Sequence, residues 1–200
     1  MNNSFKISEE QLKILESLLK QTPILLNDDS DFEKELKEVY RLIPRLKPYN
    51  KDSHLLPHIG KAHTTIKYYS LSNEKLNDYI REIFNEPNKE LIVVSEVSYE
   101  VGWFALPHFD PDSNITYNLM IGDSFQGGDV HLEEVLQDFY KRGDVVFFNG
   151  ANQRHSVSEI TAGKRVMMSI WFSSKETKQK MGLLWFMQLN VLVKSGTQNM

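Results

Sequence analysis

Cysteine is missing from all 200 residues, which rules out disulfides, thiolate metal ligands and cysteine nucleophiles together. Equally missing is an apolar run of about 18 residues, the length that crosses a bilayer. The opening residues Met1-Asn2-Asn3-Ser4 carry no basic stretch leading into an apolar one. A cytoplasmic, soluble protein with no membrane partner is the expectation. Charge of one sign is scarce as well: 27 acidic and 23 basic side chains leave a formal charge of −4. No lysine or arginine stripe stands ready to track phosphates, so nucleic acid is not an expected partner. No internal repeat or low-complexity linker divides the chain. What is present is 40% hydrophobic content, enough over this length for one core and one domain.

Two kinds of periodicity share the chain. Ser8 with Gln11 has the form of a capping box, and Ile7, Ile14, Leu15, Leu18 and Leu19 then recur at helical spacing to about Lys20. After the polar Asn27-Asp28-Asp29-Ser30 stretch, Phe32, Leu36, Val39, Tyr40 and Ile43 predict a second helix ending near Pro44. Residues 48–70 read as irregular or extended. Ser72 and Asn73 can cap a third helix striped by Leu76, Tyr79, Ile80, Ile83 and Phe84. From Leu91 the period becomes that of strands: 91–99, 103–109, 116–121, 129–133, 144–148, 156–160 and 165–172. Glycines and Pro111 punctuate them. A mainly β fold is expected, an antiparallel jelly roll with flanking helices. The single domain would comprise a mostly helical support over 1–88, the jelly-roll core over 89–173, and a closing helix of about 175–193 with its tail.

Within this frame His108-Phe109-Asp110 is the most informative local feature. Residues two apart on a strand point to the same side, so an imidazole and a carboxylate reach one ion without distorting the backbone. His155, just past the strand 144–148, would supply a second imidazole from a distant strand. Two histidines and one carboxylate leave three adjacent positions of an octahedral Fe(II) open, enough for a chelating cosubstrate and O2 together. Zinc usually prefers a closed tetrahedron. The bland alternatives are chance spacing for His108 and Asp110, and a surface or satisfied core histidine for His155.

Arg165 begins the strand Arg-Val-Met-Met-Ser-Ile-Trp-Phe, whose period puts Arg165, Met167, Ser169 and Trp171 on one face. An arginine pointing into a barrel is costly unless it meets an anion, and a guanidinium matches a carboxylate with two parallel hydrogen bonds. The far carboxylate of a 2-oxoacid would serve; a solvated arginine paired loosely with Glu159 is the alternative. His54, His58 and His63 surround Pro57, which interrupts the helical geometry that would make three imidazoles converge, so a second metal site is not the favoured reading. A substrate contact at the mouth of the site is another use for them. His131, two after Asp129, forms a reversed His-x-Asp pair.

Taken together, the blocks resemble the 2-oxoglutarate and Fe(II)-dependent oxygenases, in particular the prolyl 4-hydroxylase-like branch. They run in order over about 99–172: Tyr99-Glu100-Val101-Gly102, Pro107-His108-Phe109-Asp110, Gly127-Gly128-Asp129, Gly143-Asp144-Val145-Val146-Phe147, His155, Gly163-Lys164-Arg165 and Trp171-Phe172. The resemblance implies a double-stranded β-helix in which His108, Asp110 and His155 ligate iron and Arg165 holds the C5 carboxylate of 2-oxoglutarate. Arginine stands where collagen-type prolyl hydroxylases use lysine. Tyr99 matches the family tyrosine that reaches the cosubstrate pocket, with simple packing as its alternative. His131 falls in the Gly-Gly-Asp block, where no ligand is expected. There are departures: Met167 replaces a small hydroxylated residue, Ala105 replaces an aromatic, and the tyrosine expected after the metal aspartate falls near Met120, close to Tyr117 and Asn118.

The implied activity is hydroxylation of an aliphatic C–H bond with O2, 2-oxoglutarate giving succinate and CO2, and ascorbate as a reductant. Related halogenases lack the carboxylate, so Asp110 favours hydroxylation. A prolyl or other peptidyl residue is the family-level substrate; a free amino acid or small metabolite is the alternative, and fold resemblance does not separate them. Two other readings stay open, a noncatalytic metal-binding jelly-roll protein and a cupin-type metalloenzyme without 2-oxoglutarate.

Overall fold

The longest run of β-formers, ELIVVSEVSY, becomes strand β4 (Glu90–Tyr99), and the sheet that carries Tyr99 and Arg165 grows around it. In the computed structural model, which describes residues 3–29, 65–110, 113–122, 124–133 and 135–174, β4 pairs antiparallel with β13 (Arg165–Ser173), from Arg165 opposite Tyr99 to Ser173 opposite Glu90. On its other side β13 pairs with β6 (Ile115–Met120), and β6 with β10 (Asp144–Phe148). The remaining members are β1 (Ser4–Lys6), β2 (Ile24–Asp29) and β3 (Thr65–Tyr69). They complete a seven-stranded sheet in the order β1-β10-β6-β13-β4-β3-β2. A four-stranded sheet runs β5 (Ala105–His108), β11 (His155–Val157), β8 (Val130–Leu132), β9 (Val135–Gln137). β7 (Phe125–Gly127) and β12 (Ile160–Gly163) form a third, two-stranded pair. The mainly β, jelly-roll architecture agrees with the sequence expectation.

Alternation along each strand sorts the large sheet into two faces. Leu91, Val94, Tyr117, Leu119, Val145, Met168, Ile170 and Phe172 form an outer cluster with Leu12, Leu15 and Leu19 of α1 (Glu9–Lys20) and Leu76 and Ile80 of α2 (Glu74–Ile83). Val97, Tyr99, Met120, Val146, Phe148 and Met167 face inward, packed with Val130 and Leu132 of the small sheet and with Phe139 and Ile160. The helices are fastened as their termini dictate. Ser8 Oγ accepts from the Gln11 amide at 3.2 Å while the Ser8 amide donates to Gln11 Oε1 at 2.8 Å, the reciprocal box read from the sequence. Asn73 caps α2 by accepting from the Leu76 amide, and its Nδ2 donates to Thr22 Oγ1.

The first 88 residues are expected to be mostly helical, and strands join the helices there. Their described part holds β1, β2 and β3 as well as the two helices. Asn27, Asp28 and Asp29 read as a helix-start region, yet they pair as an edge strand with β3. A partner some 40 positions away in sequence overrides a local cap signal, the usual fate of weak propensity against sheet pairing. The 156–160 segment splits into β11 and β12, and the short β7 and β9 carry too few residues to show a period. The helix expected over 32–43 and the closing helix over 175–193 lie outside the described residues.

Candidate metal centre

β5 and β11 are antiparallel neighbours, and their register sets His108 directly opposite His155. Cross-strand partners stand close enough for side chains to meet, and the two rings lie 4.2 Å apart at 55°. Asp110 follows just beyond β5. Its amide donates to the Gly150 carbonyl at 2.8 Å and its carbonyl accepts from the Ser113 amide at 3.0 Å. A Cβ at Gly150 would sit 2.8 Å from Thr116 Oγ1 and 3.0 Å from Asp110 Cβ, so only glycine lets this loop press against the aspartate. The result is one compact group: ligand atoms of His108, Asp110 and His155 all lie within 4.8 Å of one another. It is the one such group among the described residues.

The distances suit a single ion. His155 Nε2 stands 3.3 Å from Asp110 Oδ2, and His108 Nε2 3.8 Å from Asp110 Oδ1. Donors at right angles on a metal with bonds of about 2.1 Å are separated by about 3 Å, so small side-chain rotations close the set. His155 is 8% exposed and packs on the Phe148 ring at 4.4 Å. Its Nδ1–H donates to the Gln153 carbonyl at 3.1 Å, which leaves Nε2 with its lone pair toward the carboxylate, the second-sphere device common to metal-binding histidines. Phe109, between the two β5-side ligands, projects outward and is 48% exposed.

Arg165 opens β13 opposite Tyr99 and is wholly buried at 0% exposure. Its guanidinium carbon lies 4.9 Å from the Tyr99 ring centroid, 5.3 Å from Phe139 and 6.0 Å from Phe125. By strict geometry none of its three guanidinium nitrogens makes a hydrogen bond among the described residues, and no carboxylate, Glu159 included, reaches it; the Tyr99 side chain is the polar group that acts on it. Ring faces attract a cation but accept no planar hydrogen bonds. Gly128, at φ +71°, makes the bed: a Cβ there would be 2.6 Å from Ile160 Cδ1 and 3.1 Å from Arg165 Cδ. Burial pulls the guanidinium below its ordinary pKa, with Tyr99 opposing. Burial pushes the Tyr99 phenol up; Arg165 pulls it down and the Asp110 carboxylate adds to the rise. Tyr99 therefore feels both the arginine and the metal-site aspartate, while also packing in the inner cluster.

The structure thus brings His108, Asp110 and His155 together and sets Arg165 against Tyr99. His131 stays apart: its neighbours Val130 and Leu132 face inward, and it pairs across from Ser156 outside the triad. His54, His58 and His63 lie outside the described residues. Sequence reasoning overlooked Phe125 and Phe139 around the arginine, and gave Asn118 no role. For the two phenylalanines no local signal exists, since loop and short-strand aromatics look alike wherever they point. Tyr117 turns outward, donating to Glu86 Oε1 at 2.9 Å.

Comparison with known proteins bears on the fold. An oxidoreductase of the 2OG-Fe(II) oxygenase family from Burkholderia pseudomallei superposes with a TM-score of 0.53 at 13% identity, covering 86% of this chain and 85% of that one. A viral collagen prolyl hydroxylase from Paramecium bursaria Chlorella virus-1, solved with 2OG, gives 0.48 at 13% identity over 72% of this chain and 90% of that one. No family model matches the sequence. A CRAL-TRIO domain-containing protein of Dictyostelium discoideum is 35% identical over 102 residues, half of this chain, and the match spans 37% of that relative's length. The class defined by fold is therefore the double-stranded β-helix shared with the Burkholderia oxygenase. Among the described residues no helix is long and apolar enough to cross a membrane.

Proposed function

We propose that this chain is a 2-oxoglutarate and Fe(II)-dependent oxygenase of the prolyl 4-hydroxylase-like branch that hydroxylates an aliphatic C–H bond. The observation that carries the reading is Arg165. A fully buried guanidinium with no carboxylate beside it costs several kcal/mol unless an anion joins it, and Tyr99, which faces it, also feels Asp110 of the His108, Asp110 and His155 group. A ligand with a carboxylate for the arginine and a chelating oxo-acid end for a metal satisfies both, and 2-oxoglutarate is such a molecule.

When bound, Fe(II) with 2-oxoglutarate and O2 supplies the oxidation that inserts oxygen into the C–H bond, with succinate and CO2 released. The protein's part is orientation. His108, Asp110 and His155 would hold the ion, and the Gln153 carbonyl fixes the His155 tautomer. With Asp110 as a carboxylate ligand, hydroxylation would be favoured over halogenation. Arg165 takes the far carboxylate, while Tyr99, Phe125 and Phe139 exclude water around it and so strengthen that contact. Ascorbate would keep the iron reduced. The substrate is a prolyl or other peptidyl residue, or a free amino acid or small metabolite.

The test needs no substrate. Fe(II) and then 2-oxoglutarate are added anaerobically to the purified protein and visible charge-transfer absorption is recorded for wild type and Arg165→Ala. A band that requires both components and weakens in the variant supports the reading; bound iron with no band returns the chain to a noncatalytic metal-binding or cupin-type protein.

A further inference from the structure

Strand β6 crosses the floor between the two halves of the candidate site. Its inward residues are Thr116, Asn118 and Met120, alternating with Tyr117 and Leu119 of the outer cluster. Thr116 is the residue whose hydroxyl, with the Asp110 Cβ, crowds Gly150. Met120 pairs across from Met167, one inward position from Arg165 on β13. Asn118 therefore occupies the inward position between the metal end and the arginine end.

Asn118 is 8% exposed, and its Oδ1 is buried with no hydrogen-bond partner. Its cross-strand neighbours are Val146, which offers no side-chain polar atom, and Ser169. Ser169 Oγ accepts from Trp171 Nε1 at 3.0 Å and makes no bond to Asn118 Oδ1. Leaving a buried amide unsatisfied is unfavourable, and an apolar residue of that size would fill the same place without the loss. The two ends of a carboxamide are alike in shape and exchange by rotation about χ2. The orphaned position can thus present Nδ2–H as readily as Oδ1.

We infer that Asn118 is a ligand-binding residue whose Nδ2–H donates to an oxygen at the metal-side, oxo-acid end of the cosubstrate, complementing Arg165 at the far carboxylate. The inference rests on the proposed 2-oxoglutarate reading and adds to it a residue that discriminates between ligands. A ligand such as pentanoate, which has a carboxylate for Arg165 and no oxygen at the other end, gains nothing from Asn118.

Anaerobic titration calorimetry on the Fe(II) protein reads this directly, with 2-oxoglutarate and the monocarboxylate pentanoate as probes and Asn118→Leu as the variant. A hydrogen bond to a charged acceptor is strong enough that its removal weakens 2-oxoglutarate binding roughly tenfold or more, while pentanoate binding stays within about twofold. Asn118→Asp, nearly isosteric, sets like charge against the same oxygen and weakens 2-oxoglutarate binding at least as much; it serves where the leucine variant does not fold. Equal 2-oxoglutarate affinity in wild type and variants overturns the role of Asn118 alone, as does a parallel loss for both ligands. A wild type that binds iron and does not bind 2-oxoglutarate overturns the functional reading and this inference with it.

Discussion

Two arginines of this chain live in opposite circumstances, and the contrast separates the two faces of one sheet. Arg142, on the helix side, donates to the Ile121 carbonyl at 2.7 Å and pairs with Glu16 at 2.7 Å and Glu9 at 3.2 Å. Those carboxylates hold its pKa above the ordinary arginine value. Arg165, on the inner side, is buried among rings, and burial depresses its pKa. The outer face shows the same economy as Arg142 elsewhere: Lys67 meets Glu96 at 2.7 Å, and Tyr117 and Lys89 share Glu86. Charge that stabilises the fold comes with its partner. Arg165, facing inward, has no carboxylate beside it, which is the arrangement expected where a ligand completes the pairing.

The sharpest break is at the triad. Asp110→Ala removes the carboxylate both imidazoles face, and succinate formation from 2-oxoglutarate should fall more than a hundredfold, since a ligand matters more than the second-sphere groups worth about 10–100-fold. Undiminished turnover would remove the proposed ligand set. Next comes the pair of arginines. Arg165→Leu should weaken 2-oxoglutarate binding by about 3 kcal/mol, roughly a hundredfold, and raise the ligand-free melting point, because an uncompensated buried cation is replaced by apolar packing. Arg142→Leu should lower stability by about 1 kcal/mol, as partly exposed ion pairs do, and with it the melting point, without touching ligand affinity. Matching signs in the two melting curves would dissolve the contrast.

Gly128→Ala probes the arginine's bed. A Cβ at that left-handed position crowds Ile160 and Arg165, so stability should drop by about 1–3 kcal/mol and 2-oxoglutarate affinity with it, read by thermal shift and calorimetry. The smallest effect is electrostatic and distant. Burial and then Glu96 push the Tyr69 phenol up to about 12 from 10.0. The native state thus holds a proton that the unfolded chain releases first. That stabilisation is complete below pH 10 and fades as pH rises toward about 12. Tyr69→Phe should flatten part of the alkaline fall in a urea titration series; an unchanged slope would mean that Tyr69 is not shifted.

Much of the site was legible because its signals are local. His108 and Asp110 share a strand face by period alone, and the Arg165, Met167, Ser169, Trp171 face followed from the same rule; the inner packing of Met167 beside Val97 and Met120 agrees with it. Ser8 with Gln11 announced α1 because a capping box involves only neighbours in sequence. Strands β1 and β2 escaped because each is defined by a partner elsewhere, and β3 lies in the stretch read as irregular or extended. Asn27-Asp28-Asp29 has the chemistry of a helix start and becomes strand only against Thr65–Lys67.

The sequence by itself determined the alternation of the core strands, the residue types able to hold a metal, and the absence of any thiolate route to one, since period and composition are properties of the chain before it folds. Tertiary structure alone decided that His155 stands opposite His108, that Gly150 presses on Asp110, that Phe125 and Phe139 close over Arg165, and that Asn118 is left without a partner. Those facts depend on which distant segments share a register, and register is set by the burial of whole faces at once, a quantity no single stretch of sequence contains.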